Sequence, residues 1–250
     1  MFTTYIVWFM IYSFIGWVYE SSLRTVTHRH WYNSGFLNGP YIPIYGFGAV
    51  LVLYFLGDLK NPLLLFFSSA VLNCTLEYLT SYAMEKLFHA RWWDYSRQFL
   101  NINGRVCLLG FMAFGSFATA VILYFHPWLK SHTTDLMSTS LINALAVNAV
   151  FLLSIDTYIT VTALKDFKEK VQELTLAMEQ IRDSINENLE NRIENNRLME
   201  EFKSLRNKLN AQQKRLIRAF PDLKFENMRY TAEEIRQMII DNNKKLFHLK

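Results

Sequence analysis

The stretch PLLLFFSSAVLNCTLEYLTSYAM, residues 62–84, decides the fold because it is apolar and long enough to cross a lipid bilayer. A helical crossing needs about 20 predominantly apolar residues to span roughly 30 Å of hydrocarbon. The stretch carries one acidic side chain, Glu77, and no basic one. It therefore predicts a membrane-spanning helix that contains a carboxyl group.

Four further segments are apolar enough to cross a membrane, at about 4–23, 41–57, 105–126 and 136–164. Residues 1–164 hold 8 Lys/Arg and 7 Asp/Glu, whereas residues 165–250 hold 18 and 15. All nine Gly and four of the five Pro precede residue 128. The sequence thus predicts an all-α protein with a polytopic membrane helix bundle of about five spans over residues 1–164, followed by a soluble helical tail.

The basic residues predict the orientation of this bundle. With the N-terminus outside, the inner segments would contain nine basic residues: Arg24, Arg29, Lys86, Arg91, Arg97, Arg105, Lys165, Lys168 and Lys170. The outer loops would contain only Lys60 and Lys130. Because basic residues are enriched on the cytoplasmic side, we expect a multi-pass protein of the cell membrane with a cytoplasmic tail.

The second span is predicted to be broken. The segment GFLNGPYIPIYGFG, residues 35–48, is rich in glycine and proline, and only Ala49 to Leu56 then remain as uninterrupted apolar helix. Non-helical backbone at membrane depth is tolerated where protein buries it or where it lines a wet cavity. The alternative is a kinked helix packed closely through its glycines. The candidate backbone lining is Gly35, Gly39, Pro40, Pro43 and Gly46.

Polar side chains within the predicted spans form the candidate site. Ionisable groups there cost at least about 2.5 kcal/mol each at the bilayer centre, so each needs a role. Six residues would lie in the cytoplasmic half of the bundle and could form a ligand or proton site: Glu20, Asn73, Glu77, Glu85, Arg105 and Asp156. The alternative is a set of hydrogen bonds and ion pairs, Glu20 with Arg24 among them, that only fixes helix packing.

Catalytic chemistry has little support in the sequence. Cys74 and Cys107 lack suitably spaced histidines for a zinc site, and no nucleophile has a base at a recognisable spacing. We expect no metal, no cofactor and no enzymatic activity. A membrane enzyme acting on lipid head groups therefore ranks last among the function classes.

The tail has the pattern of a long helix. Over residues 165–219 apolar residues recur three and four apart, as Val171, Leu174, Met178 and Ile181, which predicts a long cytoplasmic helix with coiled-coil character. Residues 220–250 would form a turn and a short C-terminal helix that begins at a Thr231–Glu234 capping box. The apolar stripe could pair with a second copy, giving a homo-oligomer, or with the returning chain. The tail's net charge of +3 is too small to indicate nucleic-acid binding.

Several of these segments together resemble a known family. GWVYE in the first span, GFLNGPYIPIYGFG before the second, LEYLTSYAMEKLFHARWWDYS around the end of the third and NINGRVC before the fourth are similar to the bacterial membrane family called putative ABC-transporter type IV. The resemblance covers about residues 5–165. The positions that match are Glu20, Gly35, Gly39, Pro40, Pro43, Gly46, Glu77, Glu85, Trp93, Asp94, Tyr95, Gly104 and Arg105.

The resemblance implies a transporter component. The chain contains no G-x-x-x-x-G-K-[ST] motif, so it lacks the phosphate-binding loop of an ABC ATPase, and ATP-driven transport would need a separate ATPase subunit. We therefore expect a permease-like membrane subunit in contact with the lipid bilayer. The alternative is a non-transporting scaffold or anchor that recruits partners through its tail.

Overall fold

A computed structural model describes residues 2–29, 31–186, 192–226, 230–235 and 237 of the 250-residue chain. These residues fold into two compact units. The first comprises Met1–Met84 and Asp94–Ile159, and the second comprises Glu85–Trp93 and Thr160–Lys250.

Five apolar helices build the first unit. They are α1 (Phe2–His28), α2 (Pro43–Leu56), α3 (Pro62–Phe88), α4 (Leu108–Asp135) and α5 (Thr139–Ala163). Pro43 is the first residue of α2, a position at which proline has no amide hydrogen bond to lose. Regular helix thus begins within the glycine- and proline-rich segment of residues 35–48, rather than at Ala49 as the sequence predicts, and Gly46 and Gly48 lie inside α2.

Side-chain contacts show that α2 is antiparallel to both of its neighbours. Near its start Tyr45 lies against Gly16 of α1, and near its end Leu53 packs with Trp8. On its other side Gly48 lies against Asn73 of α3, while Val52 packs with Leu65. Residues later in α2 thus contact residues earlier in α1 and in α3, as expected for antiparallel helices.

Helix α4 is longer than the sequence predicts. The fourth span was expected to end near residue 126, but the helix continues to Asp135 through Pro127. A proline in a helix removes a backbone donor and clashes with the carbonyl four residues earlier. Two π-helical turns, Val121–Phe125 and Ser131–Asp135, adjoin the proline-containing turn. The wider π turn accommodates the proline without ending the helix.

Four helices of the described chain, α1, α3, α4 and α5, are long and apolar enough to cross a membrane. The mean hydropathy of their most apolar windows lies between 1.3 and 1.9, and at most 28 % of any window is buried within the protein. Such extensive apolar exposure is stable in lipid rather than in water. Five spans were predicted, and the structure gives four long apolar helices plus the shorter α2.

The second unit contains most of the tail. Its helices are α6 (Phe167–Asn186), α7 (Arg192–Lys208) and α8 (Ala211–Ala219). A short antiparallel pair joins β1 (Ala90–Arg91) to β2 (Lys224–Phe225). The tail chain thus hydrogen-bonds to the segment that follows α3.

The sequence predicts one long helix over residues 165–219. The described residues of this segment instead form three helices. Asn210 begins α8 with a capping box, in which its side chain accepts from the Gln213 backbone amide at 2.8 Å and the Gln213 side chain accepts from the Asn210 amide at 3.0 Å. These bonds satisfy amides that an unbroken helix would pair with earlier carbonyls. Helix α7 therefore ends at Lys208.

The apolar stripe of the tail is covered within the second unit. Val171, Leu174, Met178 and Ile181 are each at most 4 % exposed, and α6 packs against α7. In the described residues the stripe is therefore buried within one chain. The Thr231–Glu234 capping box is present, with the Thr231 amide donating to Glu234 Oε2 at 2.7 Å. Most of the C-terminal helix predicted beyond it lies outside the described residues.

Candidate functional site

A loop between α1 and α2, residues 29–42, is fixed along α1 by hydrogen bonds. The backbone amides of Tyr32 and Ser34 donate to the side-chain oxygens of Thr25 and Ser21, each at 3.2 Å. At the far end of the loop the Ile42 amide donates to the Ser13 carbonyl oxygen at 2.9 Å. The irregular backbone is therefore satisfied by polar groups of a neighbouring helix, as a non-helical segment requires away from water.

The glycines of this region allow close approach. Gly35 has a φ of +97°, a conformation that side chains rarely adopt. Gly46 lies against α1, where an added Cβ would be 2.6 Å from the Phe9 carbonyl oxygen. Gly39 packs against the ring of Tyr41. Pro40 lies in the same loop, one residue after Gly39.

Asp156 of α5 fastens the loop through four hydrogen bonds. The Asn38 backbone amide and side-chain Nδ2 donate to Oδ1 at 3.1 and 2.9 Å. The Gly39 amide and the Tyr41 hydroxyl donate to Oδ2 at 2.8 and 2.7 Å. Because all four hydrogen bonds are donated to the carboxylate, they stabilise the ionised form of Asp156.

Glu20 of α1 is also satisfied. The Tyr45 hydroxyl donates to Glu20 Oε1 at 2.7 Å. Arg24 Nε lies 3.8 Å from Oε2, as the four-residue spacing predicts. This acid is paired with a cation on its own helix and with a donor from α2.

Glu77 of α3 has a different environment. Its side chain is 7 % exposed, and the Tyr95 hydroxyl donates to Oε1 at 3.3 Å. Oε2 is buried and has no hydrogen-bond partner among the residues that the structure describes. A Cβ added at Gly110 would lie 3.8 Å from this oxygen, and the Glu20 carboxylate is close enough to interact electrostatically. Glu77 is thus a buried acid with one unsatisfied oxygen.

Tyr95 is held by the loop between α3 and α4. Its backbone amide donates to the Gly104 carbonyl oxygen at 2.7 Å, and Gly104 has a φ of +66°. The Gly104 backbone amide in turn donates to Asn101 Oδ1 at 3.0 Å. Burial raises the pKa of the Tyr95 phenol above its ordinary value, so the phenol remains protonated and donates to Glu77.

Arg105 lies beside α3, one helical turn beyond Glu77. Its Nη1 donates to Ser81 Oγ at 3.0 Å. The guanidinium carbon is 5.6 and 5.4 Å from the ring centres of Tyr78 and Tyr82, within range of cation–π attraction. No ion pair joins it to Glu77 in the described ranges.

The other candidate residues occupy separate places. Asn73 lies against Gly48, where a Cβ on the glycine would collide with Asn73 Oδ1. Glu85 belongs to the second unit, and its Oε2 lies 3.5 Å from Arg91 Nε. In the described part of the chain, no group of three or more His, Cys, Asp or Glu side chains could hold a metal ion.

The sequence did not identify the tyrosines that donate hydrogen bonds to these acids. Tyr41, Tyr45 and Tyr95 donate to Asp156, Glu20 and Glu77 respectively. Two of them lie in the glycine- and proline-rich segment and the third in the WWDY motif, where tyrosines also suit a membrane interface. A hydroxyl close to a broken helix in an acid-containing bundle is the signal that could have identified them.

These features define a multi-pass helical membrane protein with buried acids near an irregular loop. The family model described as putative ABC-transporter type IV matches residues 7–161, which is more than half of the chain. The chain therefore belongs to this family. No curated protein and no solved structure matched the chain in the other two comparisons.

Proposed function

We propose that the protein is a permease-like membrane subunit with a polar site in the cytoplasmic half of its bundle, centred on Glu77. The observation that carries this function is the buried, unpartnered Oε2 of Glu77. An acid inside a bundle that is kept without a partner marks a functional site more often than a structural contact. Glu20, Tyr45 and Tyr95 form its surroundings.

Asp156 has a supporting role in this site. Its four donors leave its oxygens satisfied, so it holds the loop of residues 29–42 in place rather than binding a ligand. The lining residues Gly39 and Pro40 would then present a fixed backbone near the bundle interior. The loop forms one wall of the site, and Asp156 holds this loop in position.

A topology with five membrane crossings, one of them made by α2, explains why α2 packs antiparallel to both α1 and α3. At 14 residues this helix extends about 21 Å at 1.5 Å per residue, less than the hydrocarbon thickness of about 30 Å. The end of the loop before Pro43 would complete the crossing. Antiparallel packing on both α1 and α3 supports this topology, and the basic residues then assign the N-terminus to the outside and the tail to the cytoplasm.

Family membership supports a transporter component, and the missing phosphate-binding motif assigns ATP hydrolysis to a separate subunit. Copurification tests this directly. The protein is extracted from native membranes in a mild detergent, and bound proteins are identified by mass spectrometry. A stoichiometric ATPase subunit is the expected result, whereas recovery of only this chain or of non-ATPase partners would contradict an ATP-driven permease.

A scaffold is the second candidate. The observation in its favour is that Glu85–Trp93 and Thr160–Lys250 form a compact unit of their own. Against it, the apolar stripe that would recruit a coiled-coil partner is buried within that unit. In the same copurification, a stoichiometric partner without ATPase motifs would favour the scaffold.

A further inference from the structure

Glu77 is an acid without a compensating cation. Its side chain is 7 % exposed, and within the described ranges it accepts a hydrogen bond only from Tyr95. Burying an ionised carboxylate without a partner costs far more than burying the neutral acid. The geometry alone therefore favours the protonated form.

No basic side chain of the described residues makes a hydrogen bond or an ion pair with Glu77. The Glu20 carboxylate faces it from α1 and is already paired with Arg24. Arg105 makes its hydrogen bond to Ser81 and lies against two tyrosine rings. The remaining titratable groups that face Glu77 or its partner are Cys74 on α3, Tyr45 on α2, and Tyr95 and Cys107 before α4.

We infer that Glu77 is a proton-binding site that holds its proton in the resting protein, and that Tyr95 connects it to the loop between α3 and α4. The inference rests on the proposed polar site and names the proton as its ligand. It differs from the transport function because protonation can be measured whether or not a cargo is carried.

Tyr95 has the geometry of a proton relay. Its hydroxyl donates to Glu77 Oε1 at 3.3 Å, while the residue itself is only partly buried in the loop. When Glu77 is ionised, the hydroxyl gives its proton to Oε1 and its oxygen accepts one from a hydronium ion on the loop side, which becomes water. One proton enters, the phenol is restored, and no other group changes charge.

Infrared spectroscopy of the full-length protein in liposomes tests the proton site. We expect the carbonyl band of a protonated carboxylic acid at neutral pH, lost in Glu77→Gln and kept in Glu20→Gln, whose acid is paired. In heavy water, Tyr95→Phe should slow the deuterium shift of this band about tenfold or more if the relay operates. A wild-type protein without the band, or a Glu77→Gln variant that keeps it, would overturn the proton site. An unchanged exchange rate in Tyr95→Phe would overturn the relay.

Carbodiimide labelling of the wild-type chain avoids dependence on folding of a variant. A protonated carboxyl gives its proton to a carbodiimide nitrogen while its oxygen adds to the central carbon, and migration of the acyl group to nitrogen leaves a stable N-acylurea. With dicyclohexylcarbodiimide at neutral pH, mass spectrometry should find this adduct on Glu77 and not on Asp156. Labelling of Asp156 alone would contradict the inference.

The two proposals fail separately. If Glu77 is protonated but the protein never copurifies with an ATPase subunit, the proton site is supported and the ATP-driven permease is rejected. If Glu77 is ionised and the protein does copurify with an ATPase subunit, the permease is supported and the proton is rejected as the resting ligand of Glu77.

Discussion

Single residues in the first unit show how two buried acids acquire different roles. Asp156 accepts four hydrogen bonds, two of them from backbone amides. Glu77 accepts one, and its second oxygen has no partner in the described residues. Hydrogen bonds to a charged group contribute about 1.5–3 kcal/mol each, so we expect Asp156 to stabilise the fold more than Glu77 does.

The hydroxyl of Tyr41 should contribute measurably to stability. Tyr41→Phe keeps the ring but removes one of the four donors to Asp156, and we expect a loss of about 2 kcal/mol in the free energy of unfolding. Denaturation of the purified protein in detergent measures the change. Tyr54→Phe is the matched control, because Tyr54 is 71 % exposed, and its stability should equal that of the wild type. Equal losses in both variants would mean that the hydroxyl of Tyr41 contributes nothing specific.

The sequence predicts which acids are buried but not their partners. An acid in an apolar helix is visible from composition and spacing alone, as with Glu77 and Asp156. Their donors come from loops, whose paths depend on tertiary packing. Arg105, for example, donates to Ser81 and lies over the rings of Tyr78 and Tyr82, contacts that composition does not predict.

Among the elements, α1 and α2 depend on small residues for close packing. Gly46→Ala would place a methyl group 2.6 Å from the Phe9 backbone carbonyl oxygen. Such overpacking costs about 1–3 kcal/mol, more than the gain in helix propensity. Gly110→Ala is the control, because its methyl group would meet no atom closer than 3.8 Å. In thermal unfolding, Gly46→Ala should lower the midpoint and Gly110→Ala should not; the reverse order would contradict the packing of these helices.

Element boundaries follow local chemistry where proline or a cap decides them. The sequence predicts irregular structure over residues 35–48, but α2 already begins at Pro43, because a proline at the first helical position is compatible with the helix. It does not predict the extension of α4 through Pro127, because π turns depend on the surrounding packing. Nor does it predict that α7 ends at Lys208, since a capping asparagine is also common within polar helices.

The tail helices should be stabilised by their buried stripe. Leu174 is 1 % exposed, and Leu174→Ala should cost about 2–5 kcal/mol of the tail's stability. Hydrogen exchange of the full-length protein measures this loss locally. Leu176→Ala is the matched control on the same helix, because Leu176 is 53 % exposed.

The same pair of variants tests what covers the stripe. Because the stripe is buried within one chain, Leu174→Ala should leave the oligomeric state unchanged. Dissociation of an oligomer by Leu174→Ala, without faster exchange in the tail, would show that another copy provides the cover.

The whole molecule should have its ends on opposite sides of the membrane. Five crossings and the distribution of basic residues predict that the short connection around Lys60 lies outside and the C-terminus inside. Reporter fusions measure this: alkaline phosphatase should be active when inserted after Lys60, and green fluorescent protein should fluoresce at the C-terminus. An active phosphatase at the C-terminus would contradict the orientation. If α2 does not cross, four crossings would put the N-terminus on the same side as the C-terminus, whereas the position after Lys60 would be unaffected.

Parallel unfolding curves of Glu77→Gln and Asp156→Asn, in the same detergent and at neutral pH, test the division of roles between the two acids most directly. Asp156→Asn replaces a carboxylate held by four donors with an amide whose N–H groups oppose them, so the unfolding midpoint should fall by several degrees. Glu77→Gln removes an acid with an unsatisfied oxygen, and the midpoint should be unchanged or higher. A midpoint that falls as far in Glu77→Gln as in Asp156→Asn would show that Glu77 is a structural residue.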